Sequence, residues 1–175
     1  MEALADALTR WHEFYTLLGT AAATLVGLLF VAATVGGAAF SSDRPAPLRV
    51  FLSATVIHFS SVLLVSLILL APLENWVLLG AAVLAGGLVG VAFYGLAWRE
   101  AKRDGLIAAI DLEDRIWYAV LPVIAYIVEL ASGVLMTSHS EIGFPALAVS
   151  LGMLLVIGLH NAWDITVWAI MRRRE

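Results

Sequence analysis

Five side chains that could carry chemistry interrupt the apolar segments of this sequence. They are His58, Glu129, His160, Asn161 and Asp164. A charged side chain at bilayer depth costs about 2.5–3.5 kcal/mol on insertion scales and usually faces the interior of a helical bundle. Groups of this kind relay protons or coordinate cations, so we take all five as candidates for an ion or proton pathway.

Three of these residues share the segment HNAWD, little more than one helical turn long. His160 and Asp164 are four positions apart, so they lie on one helical face and are expected to pair. Asn161 lies on the adjacent ridge, where its amide suits hydrogen bonding between helices. A purely structural role, as polar contacts between helices, is the alternative for each of them. An isolated residue such as His58 is more often a packing residue.

The depth of each group follows from a rise of about 1.5 Å per residue, counted from the nearest arginine that we place in the cytoplasm. His58 is then roughly 13 Å deep and Asp164 roughly 12 Å, whereas His160 is about 18 Å and Glu129 about 21 Å deep. The counting predicts that Glu129 lies close to the level of His160, in a ladder across one bundle.

Metal or haem binding is a second interpretation of the same residues. His58, His160, Asp164 and Glu129 together offer a ligand set for a divalent metal ion. The two histidines could ligate haem b, although their roughly 5 Å offset along the helical rise strains that arrangement. No cofactor is otherwise predicted. The chain has no Cys, which removes thiolate ligands and c-type haem attachment.

Enzyme chemistry has little support in this sequence. There is no HExxH motif, no Gly-rich phosphate loop and no recognisable pair of nucleophile and base. We therefore assign no catalytic residue, and we expect no nucleic-acid partner.

The elements that must position these groups are long apolar helices. Of 175 residues, 62% are hydrophobic and only 14% are charged, which is more apolar surface than a soluble domain of this size could cover. Five segments are each long enough to cross about 30 Å of hydrocarbon: 14–39, 48–71, 75–98, 115–136 and 144–171. We predict an all-α membrane protein, a five-helix transmembrane bundle in a single domain over residues 1–175.

Two connecting segments and one proline refine this prediction. Residues 1–12 are compatible with a short interfacial helix, and residues 99–112 with a cytoplasmic elbow between the third and fourth helices. Pro122 removes a backbone hydrogen bond inside the fourth helix and should bend it.

The positions of the cations predict the orientation of the bundle. Nine of the ten Lys and Arg residues fall in the first loop, in the third loop or after the last helix, and only Arg10 falls on the other side. The positive-inside rule then places the N-terminus outside and the C-terminus in the cytoplasm.

Small residues predict how the helices pack. Gly19, Ala23 and Gly27 recur every four residues on the first helix, and Gly86 and Gly90 do so on the third. Helices in lipid associate through such close backbone approach. These faces offer more packing surface than one small bundle needs, so we expect a homo-oligomer, with a larger membrane complex as an alternative.

The opening helix, WHEFYTLLGTAAATLVGLLFVA from Trp11 to Ala32, together with NAWD from Asn161 to Asp164, resembles a family of small, uncharacterised bacterial integral membrane proteins. The resemblance implies a helical bundle in the bacterial inner membrane. It implies no activity and no cofactor, so no functional residue is transferred from it.

Three functions remain open from the sequence. The first is a channel or transporter-like protein for a small ion or proton, which we favour because ionisable residues within the membrane usually mark such a pathway. The second is a non-catalytic scaffold or an accessory subunit of a larger complex, and the third is a metal- or haem-binding membrane protein.

Overall fold

The computed structural model describes residues 2–35, 46–103 and 112–172, and the regular structure in these ranges is entirely helical. In chain order the elements are α1 (Glu2–Val35), α2 (Ala46–Leu70), α3 (Trp76–Arg103), the short α4 (Leu112–Arg115), a π-helical turn (Ile116–Val120), α5 (Leu121–Thr137) and α6 (Gly143–Arg172). The prediction of an all-α protein is confirmed.

Four of the helical stretches are long and apolar enough to cross a membrane. They are Glu2–Ala32, Trp76–Arg99, Ile116–Thr137 and Gly143–Asp164. The described part of the second helix adds a shorter apolar stretch, Ala54–Leu70. Each of the five predicted segments thus corresponds to a helix in the described residues, and four of these helices meet the length and composition that a membrane span requires.

The ends of the predicted segments need some correction. The interfacial helix predicted over 1–12 is not separate, because α1 runs unbroken from Glu2 and buries Leu4 and Ala7 in the core. The predicted elbow at 99–112 begins as a continuation of α3 to Arg103. Its remaining part, 104–111, and the predicted end of the first helix at 36–39 lie outside the described residues.

α5 packs between α3 and α6, α2 packs on α6 and α3, and α1 packs mainly on α2. All five of these helices contribute side chains to the core. The closest approach is between α3 and α5. A Cβ atom added to Gly80 would lie 2.7 Å from the backbone oxygen of Gly133, and one added to Gly87 would lie 2.9 Å from the side chain of Leu130. Glycine is therefore what brings these two backbones together.

We name the two ends of the bundle after residues found there. At the Asn75 end, the Asn75 carboxamide oxygen accepts hydrogen bonds from the backbone N–H groups of Val77 and Leu78, both at 3.0 Å, and caps α3. The buried Tyr15 hydroxyl donates to the carbonyl of Phe144 at 2.6 Å, which joins α1 to α6 near the same end. The opposite, Arg103 end holds the π-helical turn.

The π-helical turn directly precedes the proline of the fourth predicted helix. The N–H of Leu121 donates to the carbonyl oxygen of Ile116, a five-residue spacing in place of the usual four. Pro122 has no N–H to offer, and a proline often accompanies a change of this kind in the backbone ladder. The prediction placed a bend here, and the structure shows how the backbone adapts. Trp117 and Tyr118 lie within the turn.

Candidate functional site

A cluster of four polar side chains lies in the middle of the bundle, and we call it the core site. It consists of His58 from α2, Tyr94 from α3, and Tyr126 and Glu129 from α5, all of them buried. The three rings lie 5.7–6.0 Å apart between centroids. Of these four residues, the sequence predicted His58 and Glu129 as candidates.

Both ring nitrogens of His58 are engaged by tyrosine hydroxyls. Nε2 lies 2.7 Å from the Tyr94 hydroxyl and Nδ1 lies 3.1 Å from the Tyr126 hydroxyl. A neutral imidazole has one N–H donor and one acceptor nitrogen, whereas a hydroxyl can either donate or accept. The three groups therefore form a hydrogen-bonded chain that can be written in two directions.

Glu129 lies one helical turn beyond Tyr126 on α5. Its side chain is fully buried, and neither carboxylate oxygen has a hydrogen-bond partner among the described residues. The carboxylate lies against the α3 backbone at Gly86, since a Cβ atom added there would lie 2.6 Å from Glu129 Oε1 and 3.4 Å from a methyl group of Val65. An ionised carboxylate in such surroundings is strongly disfavoured unless a proton or a cation neutralises it.

The glycines of α3 make room for the core site. A Cβ atom on Gly90 would collide with the ring of Tyr126, just as one on Gly86 would collide with the Glu129 carboxylate. Both glycines, which the sequence predicted as packing residues, lie against α5, and each leaves room for one polar side chain of that helix.

A second polar group, which we call the π-turn cluster, lies toward the Arg103 end. It consists of Trp117 and Tyr118 from the π-helical turn and His160 and Asp164 from α6. The indole of Trp117 stacks on the His160 ring with centroids 3.9 Å apart and an interplanar angle of 4°. His160 Nδ1 lies 3.2 Å from Asp164 Oδ2, which also accepts a hydrogen bond from the Tyr118 hydroxyl at 3.3 Å.

The π-turn cluster confirms one prediction and corrects another. His160 and Asp164 form the predicted pair. The predicted levels of His160 and Glu129 are wrong, however, because His160 stacks on Trp117, which precedes Glu129 by roughly 18 Å of helical rise. Counting from Arg172 misplaced His160, since α6 extends past the level of the π-helical turn before it reaches that arginine.

Asn161 faces the core, away from the exposed side of α6. It is fully buried, and neither its amide nitrogen nor its oxygen has a partner among the described residues. One turn earlier on α6, Gly158 lies against the ring of Phe59 of α2, 2.5 Å from where its Cβ atom would be. The predicted hydrogen bond from Asn161 to another helix is not found there.

The small residues of the first helix divide into two kinds. Gly19 packs in the bundle, with its ideal Cβ position 3.0 Å from the Cβ atom of Ser66. Ala23 is exposed, and apart from the backbone of α1 itself no heavy atom among the described residues lies within 4 Å of the ideal Cβ position of Gly27. Contact of these two with a second copy stays a prediction.

The predicted metal and haem ligands are not brought together. His58 is held by two tyrosines inside the core site, whereas His160 and Asp164 lie in the π-turn cluster. Within the described ranges no three His, Asp or Glu side chains are grouped so as to hold a metal ion. A haem iron between the two histidines would also require His58 to give up a tyrosine partner.

Sequence reasoning missed the importance of Tyr94 and Tyr126. Neither tyrosine is among the five candidates that the sequence predicts. The signal that could have found them is local: Gly90 and Tyr94 are four apart on α3, so a small residue and a buried hydroxyl share one face.

Comparisons with protein-family models, with curated protein sequences and with solved structures give no match. The resemblance of Trp11–Ala32 and of Asn161–Asp164 to small bacterial membrane proteins therefore stays a prediction.

Proposed function

We propose that this chain is a channel or transporter-like membrane protein for a proton or small cation, and that Glu129 is the group that binds the ion inside the bundle. The observation that carries the proposal is the fully buried carboxylate without a hydrogen-bond partner among the described residues. Ionisable side chains are rare in membrane helices, and those that occur usually mark substrate, ion or proton pathways.

The alternative is that Glu129 has only a structural role, and this role predicts different contacts for its carboxylate. A structural acid would hydrogen bond to a neighbouring helix, as the buried Ser132 and Ser150 do with backbone carbonyls at 2.6 and 2.8 Å. Glu129 makes no such bond to the described residues. A proton or a cation would satisfy the carboxylate where the protein does not, which favours reversible binding.

We further propose five membrane spans with the N-terminus outside and the C-terminus in the cytoplasm of a bacterial inner membrane. The full length of α2, 25 residues, corresponds to roughly 37 Å and suffices for the fifth span. The distribution of Lys and Arg supports the orientation. With this orientation the Asn75 end is external and the Arg103 end is cytoplasmic.

The orientation can be tested by cysteine labelling, and the native chain gives no background labelling because it has no Cys. One variant carries a single Cys at the N-terminus and another at the C-terminus, and intact cells are treated with a membrane-impermeant maleimide. We expect the N-terminal Cys to be labelled in intact cells and the C-terminal Cys only after lysis. Labelling of both or of neither in intact cells would contradict an odd number of spans.

The function is tested by ion flux into liposomes that contain the purified chain. Proton, Na⁺ and K⁺ gradients are imposed one at a time, and the wild type is compared with Glu129→Gln. We expect protein-dependent flux of one of these cations, reduced by the substitution to the level of protein-free liposomes. Glu74→Gln is the matched control, because Glu74 is an exposed carboxylate in the loop after α2. We expect this variant to show the same flux as the wild type.

The scaffold alternative gives the opposite result. A scaffold would show no protein-dependent flux of any of the three cations, and Glu129→Gln would alter only stability or assembly. That outcome would overturn the proposed function.

A further inference from the structure

We propose that the ion is a proton, and that Tyr94, His58 and Tyr126 form a relay that passes it to Glu129. This inference rests on the proposed function and names its substrate and its route. The supporting geometry is the hydrogen-bonded chain from Tyr94 through both nitrogens of His58 to Tyr126, with Glu129 one turn further on the same face of α5.

The relay works because neutral imidazole exists in two tautomers. In the starting state the Tyr94 O–H donates to Nε2, and Nδ1–H donates to the Tyr126 oxygen. Ionised Glu129 is not hydrogen-bonded to Tyr126 in the structure, so its side chain must rotate to the Tyr126 hydroxyl before the last transfer. A proton that arrives at the Tyr94 oxygen displaces the Tyr94 proton to Nε2. The Nδ1 proton then moves to Tyr126, and the Tyr126 proton moves to the carboxylate.

Atoms and charges balance in this step. One proton arrives at Tyr94 and one binds Glu129, so both tyrosines and the imidazole end neutral and the carboxylate ends protonated. His58 has changed from the Nδ1–H to the Nε2–H tautomer, and the hydrogen bonds now run in the reverse direction. Before a second proton can follow, the hydroxyls must rotate and the imidazole must return to its first tautomer.

The surroundings of Glu129 argue against a metal cation as the substrate. Hard cations bind through several oxygen ligands, six to eight in the case of Ca²⁺. The Glu129 carboxylate lies against Gly86, which has no side chain that could supply a ligand, and Glu129 is the only acidic side chain among the buried residues that the structure describes. A proton needs a single oxygen, which this site supplies.

Three variants of the core site test whether its histidine and tyrosines relay a proton or only pack in the core. His58→Gln keeps an amide donor and an acceptor but has no second tautomer. Tyr94→Phe and Tyr126→Phe each remove one hydroxyl and keep the ring. We expect each of the three to lower proton flux in liposomes roughly tenfold or more, because a positioned proton-transfer group typically contributes at least that much. Flux is compared at equal amounts of folded, reconstituted protein.

The matched control is Tyr15→Phe. The Tyr15 hydroxyl is also buried, but it donates to the Phe144 backbone carbonyl outside the core site. This variant should lose stability and retain the proton flux of the wild type per folded molecule. Equal flux in the wild type, Tyr94→Phe and Tyr126→Phe would overturn the relay, even if Glu129→Gln still abolishes flux.

A spectroscopic readout tests the relay independently of flux. The ¹⁵N chemical shifts of His58 report which nitrogen carries the proton, and the His58→Gln variant assigns its signals among the four histidines. We expect the ratio of the two tautomers to change in Glu129→Gln and to be unaltered in Glu74→Gln. If His58 shows the same single tautomer in the wild type and in Glu129→Gln, the relay is overturned.

The outcomes distinguish this inference from the proposed function. Flux of Na⁺ or K⁺ without proton flux, abolished in Glu129→Gln, would overturn the inference and leave the proposed function standing. No protein-dependent flux of any cation would overturn both.

Discussion

The core site and the π-turn cluster each contain a histidine and a carboxylate, but the two pairs differ in burial and in their hydrogen-bond partners. In the core site, His58 is bonded to two neutral tyrosines, and Glu129 is fully buried without a hydrogen-bond partner among the described residues. In the π-turn cluster, His160 and Asp164 contact each other, and their side chains are 29% and 41% exposed. Local pairing makes a polar group tolerable, whereas burial without a partner leaves it available for an ion.

Removal of His58 should have the largest effect on stability. His58→Ala opens a cavity in the core and leaves the buried hydroxyls of Tyr94 and Tyr126 without their partner, so we expect a loss of about 2–4 kcal/mol in the free energy of unfolding. Unfolding in mixed detergent micelles measures this. A loss smaller than that of His160→Ala would contradict the difference in burial between the two regions.

Gly90→Ala tests whether the close approach of α3 and α5 builds the core site. The added methyl group collides with the Tyr126 ring, and such overpacking typically costs about 1–3 kcal/mol. The control is Gly95→Ala on the same helix, because no heavy atom of another helix among the described residues lies within 4 Å of the ideal Cβ position of Gly95. We expect this variant to be as stable as the wild type or more stable. Equal stability of the two variants would show that glycine at position 90 is not required by packing.

Glu129→Leu should stabilise the fold while it removes function. An unpartnered buried polar group costs about 1–3 kcal/mol, and an apolar side chain of similar size removes that cost. We therefore expect a higher free energy of unfolding together with loss of ion flux. If the variant is instead markedly less stable, Glu129 has a structural partner and the functional interpretation fails.

His160→Ala should have the smallest effect of the four. It removes the partly exposed contact with Asp164 and the stacking on Trp117, and an aromatic pair contributes about 0.5–1.5 kcal/mol beyond its buried area. The same unfolding assay measures it. A loss as large as that of His58→Ala would mean that the π-turn cluster, and not the core site, is the main polar contact between helices.

The sequence was sufficient to predict what depends on local pattern. Apolar runs predicted five helices, and the spacing of four residues predicted the contact of His160 with Asp164. The relative height of Glu129 and His160 could not be predicted, because it depends on how far each helix slides along its neighbour. That offset is set by non-local contacts, such as Gly86 with Glu129 and Gly158 with Phe59.

The hydrogen-bond partners of His58 could not be predicted either, because they too depend on non-local contacts between helices. Tyr94 and Tyr126 come from two other helices, and only the close approach at Gly90 brings both hydroxyls to one imidazole. A single sequence shows that a polar residue lies in an apolar segment, but not which helix it faces. The distinction between a self-sufficient pair and an unpartnered acid therefore required the structure.

The most direct test compares Glu129→Gln with Asp164→Asn for proton flux in the same liposome preparation, at equal amounts of reconstituted protein. If the core site carries the ion, Glu129→Gln reduces flux to the level of protein-free liposomes, while Asp164→Asn retains most of the wild-type flux. Full flux in Glu129→Gln, or loss of flux in Asp164→Asn alone, would contradict the central claim.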